Sequence, residues 1–393
     1  MHLPDGSLLS YCTNIHPGES WVDTSASLKR HLPKVKGAVA PDKPFGVGLR
    51  LSAQAAEGLD TPDELAAFQD FLAAEDQFVF TINGFPYGAF HGTRVKEDVY
   101  QPDWRSEERI AYSNRLADIL ATLLPEGGFG SISTVPGTFK PLAAGAEAQM
   151  ADMMLRHVAH LVRLHEATGR VIALAPEPEP CCFLETIEES VRFFEDHLYS
   201  HAAVQRLAEL AGKTISGAED ALRRHLGLCY DVCHAAVEFE DARGSIAALR
   251  AAGIPIHKLQ LSAALRLQPG PGQLDAIKAY AEGTYLHQTA TRDADGTVTR
   301  YLDLPDALGS AAALASEEWR VHFHVPIFQA DIPPLATTQD FLGEILALHR
   351  EAPISPHLEV ETYTWDVLPA ELRALPVEEA IARELKWVKA RLA

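Results

Sequence analysis

Short apolar runs alternate with longer stretches of helical spacing along the chain, and this alternation limits the fold more than any other feature. Runs of that length, separated by helix-length segments, build βα units around a parallel sheet. Nine runs qualify: Ser10–Ile15, Phe45–Leu51, Gln77–Ile82, Gly130–Val135, Val171–Ala175, Gly227–Val232, Ile256–Leu261, Arg320–Pro326 and His357–Thr362. In Met150–His165 the residues Met150, Met154, Val158, Leu161 and Val162 share one helical face, and Gly169 follows as a stop. Glu64–Ala74, Glu107–Leu124, Ile187–His197 and Ile381–Leu392 read the same way, and Thr186 with Glu189 forms a capping-box pattern. Runs begin about every 30 to 60 residues, the spacing of a (βα)8 TIM barrel that carries insertions. Because a barrel of this type has eight strands, one of the nine runs is extra. Leu286–Leu302, around the turn Asp293–Gly296, reads as a late β-hairpin insertion. The alternative, a doubly wound open sheet, lacks the GxGxxG turn after its first strand. The expectation is therefore an α/β chain whose residues 1–393 form one barrel domain with long loops.

In such a barrel the site lies where the strands end, and polar residues gather there. Val171–Cys182 reads VIALAPEPEPCC: a buried run that ends in Glu177 and Glu179, each between prolines. Proline holds its neighbour extended, and residues two apart on an extended chain share a face. The other runs end in Asn14 and His16, in Arg50, in Asn83 followed by Tyr87 and His91, in Asp231 and His234, and in Gln260 and Ser262. His322 and His324, then Glu359, Glu361 and Tyr363, close the series.

Carboxylates and imidazoles arriving from separate strands suit a divalent metal such as Mn, Zn, Co or Mg. A metal there would polarise a sugar carbonyl or hydroxyl while a neighbouring carboxylate moved a proton. The spacing Asp231-x-x-His234 lets the acid leave the strand end while the histidine reaches over from the next turn.

Charge narrows the partners. The net charge of −20, from 54 acidic against 34 basic residues, argues against a nucleic-acid backbone or an anionic membrane as the main partner. A small-molecule metabolite is expected instead, and a nuclease, which needs a basic groove, is not. The five cysteines are odd in number and lie mostly in apolar runs, so reduced thiols in a cytoplasmic protein are expected. Cys229 and Cys233 read as packing residues. Neither a signal-peptide pattern nor a span-length apolar window is present, so the chain is not expected to be a membrane protein.

The order Glu-Pro-x-Pro, Asp-x-x-His and a polar residue in the run KLQLS resembles the xylose isomerase-like barrels, which include sugar isomerases, epimerases and metal-dependent apurinic endonucleases. That resemblance implies Glu177, Asp231 and His234 as site residues, Gln260 at the seventh-strand ligand position, and His324 or Glu361 as the last ligand. Two positions depart from it. Gln260 is a neutral amide where an acid or histidine is usual, and Glu179 stands where xylose isomerases carry a lysine. Their hydride shift therefore does not transfer, and Glu179 becomes a candidate base. The strings Thr13–Trp21, Asn83–Trp104, PEPEPCC, Tyr230–Glu240 and Glu359–Pro369 resemble EboE-type metabolite traffic proteins. That resemblance implies a TIM barrel acting in secondary-metabolite processing or export, beside other Ebo proteins that include a membrane prenyltransferase-like partner.

The resulting expectation is an isomerase- or epimerase-like barrel acting on a sugar-like or polyol-bearing metabolite. Glu177, Asp231, His324 and Glu361 hold the metal, and Glu179 and His234 are catalytic. Asn14, His16, Arg50, Asn83, Tyr87, His91, Gln260 and Trp104 contact substrate. The alternative is a binding barrel with a degenerate metal site. Three further readings bear on the structure. His157, His160 and His165 are expected to face solvent. Phe85, Tyr87, Phe90, His91 and Trp104 are expected to wall the mouth with aromatic surface. Arg50 is expected either to bind an anionic group or to pair with Glu177 or Asp231.

Overall fold

A computed structural model describes all residues, Met1–Ala393. Eight parallel strands close on themselves: Leu8–Tyr11, Phe45–Arg50, Gln77–Asn83, Phe129–Thr134, Val171–Pro176, Leu228–Asp231, Ile256–Leu261 and His357–Val360. They are called the first to eighth strands below. The second to fifth form one parallel sheet, and the sixth, seventh, eighth and first form another. Parallel bridges Cys12 to Gly48 and Leu174 to Leu226 join the two sheets at both seams, which closes the barrel. Residues of the second, sixth, seventh and eighth strands are all buried, as strands covered on both faces must be.

The ninth run is the extra one. Arg320–Pro326 does not enter the barrel: the strand there is Glu318–Val321. It pairs antiparallel with Leu265–Leu267 and Thr289–Arg292 in a six-stranded sheet inserted between the seventh and eighth strands. Its alternation of half-exposed Glu318 and Arg320 with buried Trp319 and Val321 is the pattern of an antiparallel sheet with one wet face. The expected hairpin is present, with Val298–Tyr301 paired to Thr289–Arg292, and is part of this larger insertion. Trp319, Val321 and Leu335 of the insertion belong to the same buried apolar cluster as Leu9 and Leu358 of the barrel.

Local signals place the helices well. The helix Glu147–Thr168 stops at Gly169, whose φ of 72° favours glycine. Thr186 and Glu189 make the capping box in both directions. The helix that begins there ends at Phe193 instead of His197, because Phe194–Leu198 widens into a π turn. The first strand ends at Tyr11, and Thr13–Ile15 forms a 3-10 turn that carries Asn14 across the strand ends. No helix is long and apolar enough to cross a membrane.

The inner layer of the barrel holds an ion pair. Lys258 Nζ and Glu359 Oε2 lie 2.6 Å apart with both side chains fully buried. Gly48 makes room for this pair: a Cβ there would stand 1.7 Å from Glu359 Oε1 and 2.7 Å from the Tyr11 carbonyl.

The expectation that His157 faces solvent is overturned. Its ring is fully buried, with Nδ1 on Asn114 Oδ1 at 2.7 Å and Trp104 packed against it. His160 is also tied down, to Asp118 at 2.7 Å, and His165 Nδ1 bonds the Arg170 carbonyl. Helical spacing marked the helix Glu107–Leu123 but not its place against this one, where it supplies Asn114 and Asp118. Burial, and secondarily His160 and His225, pushes the His157 pKa down to about 3. A histidine held neutral in the fold but titrating near 6.5 when unfolded contributes stability above that pH and loses it as pH falls toward 3. The loss should be about 1.4 kcal/mol per pH unit for this side chain. Denaturant melts of wild type and His157→Gln between about pH 4 and 7 check this. The variant should show a shallower acid decline, and parallel curves would refute the assignment.

Candidate metal centre

The mouth of the barrel collects the polar strand ends. One carboxylate oxygen each from Glu177, Asp231 and Glu361 lie within 4.8 Å of one another, and all three side chains are buried. Asp231 forms a second such group with His234 and His324, and Glu179 forms a third with His234 and His322.

Each group is aimed by a contact on its far side. Asp231 Oδ1 caps the short helix Val232–Val237 through the His234 amide at 3.0 Å and accepts the Ser262 hydroxyl at 2.7 Å. Glu361 Oε1 accepts amide donors from Asn14 at 2.8 Å and Asn83 at 2.9 Å. Glu179 Oε1 accepts Tyr100 Oη at 2.8 Å and Gln288 Nε2 at 2.9 Å. His324 Nδ1 bonds the Glu361 carbonyl at 2.9 Å, and His234 Nδ1 bonds the Pro178 carbonyl at 2.9 Å.

What remains unpaired identifies the chemistry. Glu177 Oε2, Asp231 Oδ2 and His324 Nε2 are buried without a hydrogen-bond partner. An unpaired buried acceptor costs about 1–3 kcal/mol, and Asp231 shares one metal-sized cluster with Glu177 and another with His324. Oxygen and imidazole ligands with anchored outer nitrogens fit a divalent transition metal. The electrostatics agree. Burial, then the nearby Asp231, raises the Glu177 carboxyl to about 8. Glu361 is pushed well above the usual range by burial and by Glu177. Burial also acts on Asp231, but His234 and His324 together with the hydrogen bonds from Ser262 and the His234 amide hold this carboxyl low. A divalent cation would neutralise this crowding directly.

Above the donors lies a cleft with an aromatic wall of Phe85, Phe90, Tyr100, Tyr285 and Tyr363. Asn14, Asn83, Glu177, Glu179, His234, His322 and Glu361 supply its polar surface.

Several residues expected at substrate lie elsewhere. Arg50 pairs with neither Glu177 nor Asp231: its guanidinium bonds the Gly18 and Gly88 carbonyls at 3.0 and 2.7 Å and pairs with Glu19 at 3.3 Å. His16 bonds Tyr11 Oη and stacks on His31 with centroids 4.1 Å apart. Tyr87 packs on Tyr112, and Trp104 is fully buried with Nε1 on Thr134 Oγ1 at 3.1 Å. Each is a large side chain that found a partner under the loops rather than in the cleft. His91 stands behind the lining, bonded to the Asn14 carbonyl at 2.6 Å and to Tyr285 Oη at 3.2 Å. Gln260 is fully buried in the seventh strand, in register with Asp231 and Glu359, and both its amide atoms lack partners. Of the expected aromatic wall, Phe85 and Phe90 line the cleft.

Sequence reasoning did not single out Tyr100 and Gln288, which position Glu179. Tyr100 lies within a quoted string but on a 3-10 turn, and Gln288 precedes an inserted strand, so neither had a strand-end signal.

No protein-family model and no curated protein matches the chain. It is similar to solved structures of low identity. A D-tagatose 3-epimerase-like protein is 11% identical over 98% of this chain and 100% of its own, with a TM-score of 0.48. A xylose isomerase domain protein from Planctomyces limnophilus is 12% identical over 88% of both chains, also at 0.48. The IolI protein, with a zinc atom bound, is 14% identical over 98% of this chain and 97% of its own, at 0.46.

Proposed function

We propose that this chain is a metal-dependent, isomerase- or epimerase-like barrel acting on a sugar-like or polyol-bearing metabolite. The observation that carries the reading is the buried cluster of Glu177, Asp231 and Glu361, whose carboxylate oxygens lie within 4.8 Å of one another while Glu177 Oε2 and Asp231 Oδ2 have no hydrogen-bond partner. Glu177, Asp231 and Glu361 would hold the ion, with His324 as a fourth donor. A divalent ion, when bound, supplies a Lewis acid that polarises a substrate carbonyl or hydroxyl.

The remaining steps belong to the protein. Glu179 is the candidate base: Tyr100 and Gln288 hold one of its oxygens in place. Burial raises its pKa, which favours accepting a proton near neutral pH. His234 serves as ligand or proton carrier. Asn14 and Asn83 orient Glu361 and present polar edges to the substrate, and the aromatic wall excludes water. Within this class we place the chain with the EboE-type metabolite traffic proteins, on the five long strings that carry that resemblance. Other Ebo proteins, among them a membrane prenyltransferase-like one, would then be its partners. The five unpaired cysteines suit a reducing, cytoplasmic setting.

One observation favours a second reading, a binding barrel without catalysis. Gln260, a poor ligand, sits at the strand position next to Asp231. Elemental analysis of protein purified without chelator separates the two. About one or more equivalents of Mn, Zn or Co per chain supports the enzyme-like reading, and metal-free protein that also gains no melting temperature from added metal supports the binding barrel.

A further inference from the structure

The cleft at the barrel mouth is two-faced. Strand ends make a polar floor, with Glu177, Glu179, Glu361 and Asn83 on the lining. Loops make an apolar roof: Phe85, Phe90 and Val95 come from the segment after the third strand, Tyr285 and Leu286 from the insertion. Phe90, Val95 and Tyr285 form an apolar cluster of their own, separate from the main core. Phe90, Tyr285 and Tyr363 pack ring to ring, with centroids 5.2, 5.2 and 5.1 Å apart. Two tyrosine hydroxyls on the lining are already engaged. Tyr285 Oη donates to the Phe90 carbonyl at 2.9 Å, and Tyr100 Oη donates to Glu179 at 2.8 Å.

Nothing on this lining is free to bind an anion. Its one lysine or arginine is Lys96, whose Nζ is held by Asp303 Oδ2 at 2.5 Å. Arg50, near the Phe90 ring, is spent on the Gly18 and Gly88 carbonyls and on Glu19. Any charge on His234 faces Asp231 Oδ2 at 4.0 Å. Glu177, Glu179, Asp231 and Glu361 surround the floor, so one divalent ion leaves no surplus of positive charge. Barrels that bind a phosphate commonly use the loops after the seventh and eighth strands and the N-terminus of a short helix. Here the seventh strand leads into the inserted sheet, and the eighth into a 3-10 turn, Tyr363–Val367, that carries Asp366.

The floor suits a carbonyl or hydroxyl head. The roof does not suit the far end of a free sugar, because each hydroxyl buried there without a partner lowers affinity roughly 5- to 100-fold. We infer that the substrate is an uncharged compound with a carbonyl- or polyol-bearing head and a ring-sized apolar group. The head sits on the Glu177, Asp231 and Glu361 floor, and Phe85, Phe90 and Tyr285 enclose the apolar group. This substrate class rests on the metal-dependent reading above and belongs to the same site. Phe90 and Tyr285 are its specificity-determining residues, and a free sugar or a sugar phosphate is the weaker ligand.

Three probes that share an α-hydroxyketone head and differ in one substituent test this. Phenacyl alcohol carries a phenyl group, hydroxyacetone a methyl group, and dihydroxyacetone phosphate a phosphate ester. Each is titrated calorimetrically into the full-length chain loaded with Mn. The phenyl probe should bind about tenfold or more tightly than the methyl probe, because its extra apolar area leaves water. The phosphate probe should bind no better than the methyl probe. Phe90→Ala and Tyr285→Ala should each lower the phenyl-to-methyl affinity ratio by about threefold or more. The wild-type comparison decides the matter even where a variant fails to fold. A phosphate probe that binds tightest, equal phenyl and methyl affinities, or no binding of any probe overturns the substrate class. Metal content of the same samples separates the two failures. Metal-loaded protein without a phenyl preference leaves the proposed function standing, whereas protein that takes up no metal overturns both.

Discussion

Asp231→Asn is expected to abolish stabilisation by Mn or Zn while leaving the apo protein close to wild type in stability, relief of Glu177 offsetting the lost attraction to His234 that holds this carboxyl low. The variant keeps an acceptor at Oδ1, so the His234 amide at 3.0 Å and the Ser262 hydroxyl at 2.7 Å remain satisfied. It removes one of three carboxylates crowded within 4.8 Å, and with it the repulsion that helps raise Glu177 to about 8. Loss of a ligand should lower metal affinity by more than roughly 100-fold, because even groups one layer behind a ligand are worth 10–100-fold. At metal concentrations near 100 times the wild-type dissociation constant, the gain of about 2.7 kcal/mol from binding should vanish. Asp231→Ala should behave differently. It strands the buried Ser262 hydroxyl and uncaps the helix, at a cost of about 1–3 kcal/mol in the apo form as well. Thermal melts of the three proteins, each with chelator and with metal, read all of these effects. An Asp231→Asn protein that metal stabilises as strongly as wild type would sink the assignment.

The second large effect lies deeper in the barrel. Lys258→Met should destabilise the fold by about 3–5 kcal/mol, because it leaves the Glu359 carboxylate buried without its partner. The pair is 2.6 Å apart and fully enclosed, and the Glu359 charge, with lesser contributions from Cys12 and Cys229, outweighs burial and holds the lysine charged. The double variant Lys258→Met, Glu359→Leu should recover much of that loss, since an apolar pair of similar volume removes the need to solvate either charge. Urea melts of the wild type, the single variant and the double variant decide the matter. A single variant as stable as wild type, or a double variant no better than the single, would show that the pair is not what holds this layer.

Part of the candidate site was legible because strand ends are local. Glu177, Asp231 and Glu361 each follow a short apolar run that became a barrel strand, and the closed barrel brings such ends together. Other expectations failed where the partner was remote in the chain. Arg50 reads as an anion binder until the Gly18 and Gly88 carbonyls surround it. His157 reads as a surface histidine until Asn114, 43 residues earlier, meets it. Trp104 reads as a pocket wall until Thr134 and the His157 ring enclose it. The ninth run misled for a related reason: apolar alternation marks a strand but does not say to which sheet the strand belongs.

The sequence by itself determined a parallel barrel and the chemistry at its rim. Buried strands, helix stops such as Gly169 and the capping pair Thr186–Glu189 act within a few residues, so local sequence encodes them. Tertiary structure alone decided which rim residues face one another. The insertion after the seventh strand, not the barrel, delivers His322 and His324. Gln288, itself on that insertion, orients His322 and Glu179 at once. Side-chain direction depends on who accepts the far-side hydrogen, and those acceptors are backbone carbonyls and amides that only the folded chain brings within reach.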